Sequence, residues 1–252
     1  MSDYRISFQL YSARNFPPVE AQLETLAAIG FDAVEPYRGS YGDDPAGFRR
    51  QLDAVGLACP TAHIGLADLD ADRAAVIETA RILGLETVIS PFLPPDQRPD
   101  DVEGWQALGA RLQEHAAALR AAGLKYAWHN HAFEYATLPD GSRPIDHLLA
   151  GPDVMFEADI GWIARADCDV KAELERFPGK LAAFHVKDVA PEGVTEDDGW
   201  TDVGAGIIDW QALLPVIASS GTDLLVLEHD APSDWRSFAE NSFRFLAGLV
   251  GR

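Results

Sequence analysis

Acidic and imidazole side chains recur along this chain directly after short apolar segments. These side chains, together with one neighbouring lysine, are Glu35, His63, His129, His131, Glu134, Asp159, His185, Lys187, Asp188, Glu228 and His229. Carboxylates and imidazoles that converge in one place are costly to desolvate unless a cation neutralises them. An oxygen-rich ligand set with one imidazole suits Mn²⁺, Mg²⁺, Co²⁺ or Zn²⁺. The residue types therefore predict a divalent metal site, while spacing alone leaves open which of them are ligands.

Eight short apolar segments carry these residues at or just beyond their C-terminal ends. We predict strands over 5–10, 33–36, 58–63, 87–91, 125–129, 154–159, 182–186 and 224–228. Apolar residues recur at helical spacing over 18–29, 45–55, 71–83, 102–122, 144–150, 170–176, 210–219 and 235–249. This alternation is typical of βα units wound around a parallel sheet.

The length and the apolar content fit one closed barrel of such units. The chain has 252 residues, of which 47% are hydrophobic, and a (β/α)8 barrel has this size and needs a large core. We therefore predict a single α/β domain, a (β/α)8 TIM barrel, over residues 1–252. Because the active site of such a barrel forms at the C-terminal ends of its strands, the polar residues above would meet at one mouth.

The charge balance and the cysteines limit the partners and the compartment. The chain has 20 Lys+Arg against 40 Asp+Glu, a formal net charge of −20, which repels phosphate backbones and anionic lipid surfaces. We expect neither a nucleic-acid nor a membrane partner. Cys59 and Cys168 are too few for a disulfide framework. Without a signal-like start or a membrane-length apolar run, we expect a cytoplasmic protein, with homo-oligomer formation left open.

Residues 128–135 (WHNHAFEY) resemble the HNHxxEF motif of the xylose-isomerase-like sugar phosphate isomerase/epimerase family. Five further segments are similar to the family's motifs: 7–12 to LQLYS, 156–162 to LDxGW, 184–188 to HxKD, 203–210 to GxGxIDW and 227–230 to VExD. The resemblance spans essentially the whole chain in the right order. It implies a xylose isomerase-like TIM barrel that acts on a sugar or polyol.

The resemblance also implies a set of four metal ligands for one divalent ion, with Mn²⁺ preferred. These fall on Glu134, Asp159, His185 and Glu228. The segment 126–128 contains no carboxylate, so Glu134 is the nearest candidate for the first ligand. The family's epimerases use two metal-bound glutamates on opposite sides of the reacting carbon, and Glu134 and Glu228 would take these roles. Asp159 and His185 would mainly hold the ion.

The remaining polar residues are expected to contact the substrate. Lys187 follows His185 by two positions and so points to the same side of the strand, where it would bind a substrate oxygen or stabilise an enediolate. His63, His129 and His131 would hydrogen-bond hydroxyls of the substrate or transfer protons. Glu35 and Trp162 would shape the pocket.

Several of these residues have a structural alternative. Glu134 could be a solvated carboxylate in a loop. Glu35 and His63 could satisfy the backbone of nearby loops, as strand-end polar groups often do. His129 could orient a ligand instead of acting on the substrate.

Four functions are compatible with these residues. The first is a metal-dependent isomerase or epimerase of a keto-sugar or polyol. A lyase or dehydratase of a 3-keto-glycoside or inosose would use the same site, with imidazoles as leaving-group acids. An apurinic endonuclease needs several metals and a basic groove, which the net charge disfavours. The fourth is a non-catalytic sugar-binding barrel. No run of Arg or Lys marks a phosphate pocket, so we expect a non-phosphorylated substrate.

Overall fold

A parallel eight-stranded sheet is the centre of the computed structural model, which describes residues 4–252. The strands are β1 Arg5–Gln9, β2 Ala33–Glu35, β3 Thr61–His63, β4 Thr87–Ser90, β5 Lys125–His129, β6 Val154–Asp159, β7 Leu181–Val186, β8 Asp188–Val189, β9 Trp200–Thr201 and β10 Leu224–Leu227. Eight of them pair in the order β2-β1-β10-β7-β6-β5-β4-β3. Parallel bridges from Ala33 to Ala58 and from Tyr37 to His63 link β2 to the chain around β3. The barrel is therefore nearly closed, which confirms the predicted fold class.

Helices flank the barrel strands. They are α1 Val19–Ile29, α2 Arg38–Tyr41, α3 Pro45–Val55, α4 Leu66–Leu83, α5 Val102–Ala121, α6 Pro144–Leu148, α7 Ile160–Arg165, α8 Val170–Glu175, α9 Trp210–Ser219 and α10 Trp235–Val250. Within residues 4–252, no helix combines the length and the hydropathy needed to cross a membrane.

The main differences from the predicted elements have local causes. β3 begins at Thr61 rather than at 58, because Pro60 has no N–H to donate to a neighbouring strand. α4 begins at Leu66, before the predicted 71, and contains a break at Asp72 with φ −155° and ψ 85°. The long polar segment after β7 contains an antiparallel hairpin, in which β8 pairs with β9.

Short-range signals fix where many helices begin and end. The side chains of Asp44, Asp101 and Asp209 each accept a hydrogen bond from the backbone N–H three residues ahead, at 2.7–3.0 Å, and so cap α3, α5 and α9. Gly84 ends α4 with φ 78°, a left-handed conformation that costs a glycine little. These caps turn the chain back toward the next strand.

Side chains alternate between the outer face of the barrel and its interior. Phe8 of β1 packs against α10, with ring centroids 6.1 Å from Trp235 and 6.0 Å from Phe238. The large apolar core therefore lies between the sheet and the helices. A small separate apolar cluster of Ala183, Leu224 and Val226 consists of residues on β7 and β10.

The polar residues lie one step beyond this small cluster along the same strands. Because side chains two positions apart share a face, His185 lies on the same face as Ala183, and Glu228 on the same face as Val226. Both polar residues are closer to the C-terminal mouth. The interior thus changes from apolar to polar toward the end of the barrel where active sites form.

Two helical glycines provide a test of this packing. A Cβ at Gly109 of α5 would lie 2.1 Å from the carbonyl oxygen of His147 in α6, so Gly109→Ala should destabilise the fold by about 1–3 kcal/mol through overpacking. A Cβ at Gly248 of α10 meets no atom of residues 4–252 within 4 Å, so Gly248→Ala should stabilise it by about 0.5–1 kcal/mol. Urea unfolding of both variants measures the difference, and equal effects would contradict the close packing of α5 on α6.

A candidate metal centre at the C-terminal mouth of the barrel

Four buried side chains meet at the ends of four adjacent strands. His129 ends β5, Asp159 ends β6, His185 lies near the end of β7 and Glu228 directly follows β10. One potential ligand atom from each lies within 4.8 Å of the others. His185 Nδ1 is 2.7 Å from Glu228 Oε2 and 3.9 Å from Asp159 Oδ2. We name these four residues the outer group, and their geometry could hold one metal ion.

The outer group has the properties of a cation site. Asp159 Oδ1 accepts a hydrogen bond from the Trp162 N–H at 2.8 Å, whereas its buried Oδ2 has no hydrogen-bond partner in the part of the chain that the structure describes. Burial raises the pKa of Asp159 well above its ordinary value. Burial also opposes ionisation of Glu228, but Lys187 and His185 outweigh it and hold that pKa low. A divalent ion would remove this conflict between two neighbouring carboxylates.

A second cluster lies beside the outer group. Glu157 precedes Asp159 by two positions on β6, so its side chain points to the same interior one step deeper. Its Oε2 lies 2.8 Å from His63 Nε2 and 3.1 Å from His185 Nε2. Glu35 Oε1 lies 3.0 Å from His63 Nε2 and 2.7 Å from His185 Nε2. We name Glu35, His63 and Glu157 the inner group.

The inner group is strongly charged. Burial opposes the ionisation of Glu157, but His185 and His63 outweigh it and lower its pKa to about 2. Burial also opposes the charged form of His63, yet the attraction of Glu35 and the hydrogen bond to Glu157 raise its pKa to about 9. The inner group therefore contains an ionised Glu157, whose charge is compensated by protons on His63 and His185.

Glu134 lies outside both groups, in contrast to its predicted place among the metal ligands. It belongs to a single 3-10 turn after β5, Phe133–Tyr135. Its carboxylate accepts hydrogen bonds from Trp128 Nε1 at 3.1 Å and from the His131 N–H at 2.8 Å. Burial raises its pKa to about 8. The turn folds Glu134 back against β5, and it is His129 at the strand end that lies beside Asp159, His185 and Glu228.

A cavity of about 530 Å³ opens above the outer group. Of the predicted site residues, it is lined by His63, His129, His131, Trp162 and Glu228. Tyr11 and Phe92, both about two-fifths exposed, lie at its rim. A shallow groove of about 680 Å³ between α1 and α10 contains neither histidine nor cysteine among its lining residues. The cavity at the mouth is therefore the better candidate for a substrate site.

Burial of His129 and His131, together with neighbouring positive groups, holds both pKa values well below the usual range. Both rings are therefore neutral near pH 7. A neutral imidazole offers one lone pair that can accept a proton or bind a metal.

Two predicted substrate-binding residues do not line this cavity. Glu35 is fully buried in the inner group. Lys187 is 1% exposed, and its Nζ lies 2.7 Å from Asp230 Oδ1 and 3.6 Å from Glu228 Oε2. The ammonium group also lies 4.1 Å from the ring centroid of Trp200. Lys187 therefore places a buried positive charge beside Glu228.

Asp188 explains the glycine-rich segment 203–210. Its carboxylate accepts hydrogen bonds from the Gly204 N–H at 2.9 Å, the Ile208 N–H at 3.2 Å and Trp210 Nε1 at 2.8 Å. A Cβ at Gly206 would lie 2.1 Å from Asp188 Oδ1, so only glycine fits there. The motif thus ties the loop after β9 to the residue next to Lys187, and it serves loop structure.

Glu157 and Asp230 were not among the site residues predicted from the sequence. Glu157 had a detectable signal, because it is two positions before Asp159 and therefore shares its face of the strand. Asp230 follows Glu228 by two positions, but it lies beyond the end of β10, where strand alternation no longer predicts direction.

The xylose isomerase-like TIM barrel family model matches residues 23–249. The chain belongs to this family. No curated protein matches its sequence. This membership confirms the resemblance inferred from the motifs and supports an enzyme that acts on small molecules.

Solved structures share the fold. A sugar phosphate isomerase/epimerase from Parabacteroides distasonis is 17% identical, with a TM-score of 0.82 over 99% of this chain and 96% of that one. The probable 3-DHS dehydratase AsbF from Bacillus anthracis is 11% identical, with a TM-score of 0.76 over 96% and 98%. A xylose isomerase-like TIM barrel protein from Mycobacterium smegmatis, in complex with magnesium, is 16% identical, with a TM-score of 0.73 over 98% and 97%. At these identities the likeness concerns the fold.

Two aspartates near the glycine-rich segment test the role of Asp188. In Asp188→Asn an amide NH₂ replaces one acceptor oxygen and faces N–H donors, so we expect a loss of about 1–3 kcal/mol in the free energy of unfolding and faster proteolysis within 189–209. The matched control Asp209→Asn keeps a good helix cap and should change stability by less than about 0.5 kcal/mol. Similar losses for the two variants would show that Asp188 does not organise the loop.

Proposed function

We propose that the protein is a divalent-metal-dependent enzyme that transfers protons beside the carbonyl of a non-phosphorylated keto-sugar or polyol, as an isomerase or epimerase. The observation that carries this proposal is the outer group. Its carboxylates and imidazoles converge at the C-terminal mouth, one buried aspartate oxygen there lacks a partner within the described residues, and the group opens into the cavity. We propose one catalytic domain over the whole chain.

Asp159, His185 and Glu228 would hold the ion, with His129 as the fourth donor. When bound, the ion supplies a Lewis acid that acidifies a C–H bond next to a carbonyl. Two carboxylates and two imidazoles suit Mn²⁺, which we favour, and also Mg²⁺, Co²⁺ or Zn²⁺.

Glu228 is the proton acceptor in this proposal, because its carboxylate lines the cavity and its low pKa keeps it ionised. Lys187 lies 3.6 Å from it and compensates the negative charge that develops as the substrate becomes an enediolate. Epimerisation needs a second proton carrier on the opposite face of the carbon. His131 lines the cavity as a neutral imidazole and is the better candidate for that role than Glu134.

The arginines at the rim support a non-phosphorylated substrate. Arg14 donates hydrogen bonds to the backbone oxygens of Tyr11 and Asp230. Arg38 pairs with Asp43 at 2.6 Å. Both guanidinium groups are thus engaged with the protein, and the aromatic rim offers apolar faces on which a sugar ring can stack.

A lyase or dehydratase acting on a 3-keto-glycoside or inosose is the second candidate. One observation favours it: the cavity is lined by a single glutamate, Glu228, and by three histidines. Elimination needs one base and one acid that protonates the leaving oxygen. Epimerisation needs proton-transferring groups on both faces of the reacting carbon. Formation of an enone that absorbs in the ultraviolet would distinguish this chemistry.

Solvent exchange tests the proton transfer directly. The metal-loaded protein in D₂O should introduce deuterium beside the carbonyl of a ketose, and Glu228→Gln should abolish this exchange because it removes the base. The control Glu240→Gln, on the outer face of α10, should leave the exchange rate unchanged. Mass spectrometry of the recovered sugar gives the result. No exchange with any member of a broad panel of ketoses and keto-polyols would contradict the isomerase proposal.

Metal affinity tests which residues bind the ion. Loss of a residue that only hydrogen-bonds to a metal ligand typically weakens metal affinity by about 10–100-fold. Because His129 is proposed as a ligand itself, His129→Gln should weaken Mn²⁺ binding by at least this factor. Glu134→Gln should leave the Mn²⁺ affinity nearly unchanged. Binding should tighten as the pH rises, because the proton held by Asp159 competes with the ion. Titration calorimetry measures both effects. A large loss with Glu134→Gln alone would restore Glu134 as a ligand.

A further inference from the structure

Asn130 is hydrogen-bonded to the backbone of Asp159, one of the residues assigned to the ion. It directly follows β5 and is fully buried. Its side-chain Oδ1 accepts a hydrogen bond from the Asp159 N–H at 2.9 Å, and its Nδ2 donates one to the Asp159 carbonyl oxygen at 3.3 Å. Because one bond needs an acceptor and the other needs a donor, the two contacts fix the orientation of the amide.

This contact replaces sheet hydrogen bonds that end at the same point. The register of β5 with β6 ends at His129, which lies opposite Glu157, whereas β6 continues for two more residues to Asp159. In a parallel sheet, the neighbouring strand supplies the partners of such backbone groups. Here the chain leaves β5 for the 3-10 turn at Phe133–Tyr135, and the side chain of Asn130 supplies the partners instead. Buried backbone groups of β6 thereby remain hydrogen-bonded.

The side chain of Asp159 is held as well. Its Oδ1 accepts a hydrogen bond from the Trp162 N–H of α7 at 2.8 Å. Its Oδ2, which has no hydrogen-bond partner among residues 4–252, lies 3.9 Å from both His129 Nε2 and His185 Nδ1. With the backbone held by Asn130 and one oxygen held by α7, the other oxygen faces the rest of the outer group.

We propose that Asn130 is a positioning residue for the metal centre and acts through Asp159, by fixing the direction in which Oδ2 points. This inference rests on the proposed function, in which Asp159 holds the ion. Asp159 would bind the ion through Oδ2 alone, because α7 engages the other oxygen. Since Asn130 is adjacent to His129 in the chain, the same contact sets the spacing between the donors of β5 and β6.

The Mn²⁺ affinity of the full chain, measured in two backgrounds, tests this role. Asn130→Ala should weaken Mn²⁺ binding by about 10–100-fold in the otherwise wild-type protein, as the loss of a residue that orients a ligand does. In the Asp159→Asn background, the same change should weaken binding by less than about 2-fold, because the residue through which Asn130 acts is already altered. The electron paramagnetic resonance signal of free Mn²⁺ measures both tight and weak binding.

A matched control and a second variant accompany this measurement. Asn241 is an exposed asparagine of α10 whose Nδ2 donates a hydrogen bond to Asp202 Oδ2 at 2.8 Å, and Asn241→Ala should bind Mn²⁺ as the wild type does. Circular dichroism establishes that each variant is folded. If Asn130→Ala does not fold, Asn130→Asp keeps the size and the acceptor for the Asp159 N–H but loses the donor. It should likewise lower the affinity more in the wild-type background than in the Asp159→Asn background.

The crystal structure of the Mn²⁺-loaded wild-type protein gives a readout that needs no variant. It should show Oδ2 of Asp159 on the ion and both hydrogen bonds to Asn130 intact. An Asp159 backbone that has separated from Asn130 in the loaded protein would overturn the positioning role and leave the proposed function standing. So would an Mn²⁺ affinity that Asn130→Ala leaves unchanged or lowers equally in both backgrounds. A wild-type protein that binds no Mn²⁺ would overturn both proposals.

Discussion

The burial of four carboxylates in the mouth of one barrel is the constraint on which the rest of this structure depends. Two of them, Asp159 and Glu228, lie near the cavity, and the other two, Glu35 and Glu157, lie among histidines beside them. Such groups cannot all be ionised without nearby positive charge. The surrounding imidazoles, the buried Lys187 and the divalent ion proposed for the outer group are different ways of supplying it.

The barrel makes this concentration of charge possible. Parallel strands bring residues that are far apart in sequence to one edge, and the two-residue repeat directs alternate side chains inward. The helices cover the other face of the same strands with an apolar core, whose burial provides the main stabilisation of the fold. Burying the charged groups at the mouth costs free energy. The fold tolerates this cost because the apolar core stabilises the barrel as a whole. Loop anchors such as Asp188 then fix the segments around Lys187.

Much of the architecture could be predicted because it depends on local patterns. Short apolar strands and amphipathic helices gave the correct order of barrel elements, and the motifs indicated the strand ends at Asp159, His185 and Glu228. The place of Glu134 could not be read in this way. The direction of the Glu134 side chain depends on one 3-10 turn and on hydrogen bonds donated by Trp128 and His131. These contacts form only in the folded chain and leave no local pattern in the sequence. Strand alternation could have found Glu157, but its contact with Glu35 and His63 required the closed barrel.

The location of a bound ion tests the central claim most directly. Crystals of the full chain soaked in Mn²⁺ and measured near the manganese absorption edge should show an anomalous peak between Asp159, His185 and Glu228, with His129 on its open side. A peak at Glu134 instead, or no peak at the mouth under conditions that saturate binding in solution, would contradict the assignment of the outer group as the metal centre.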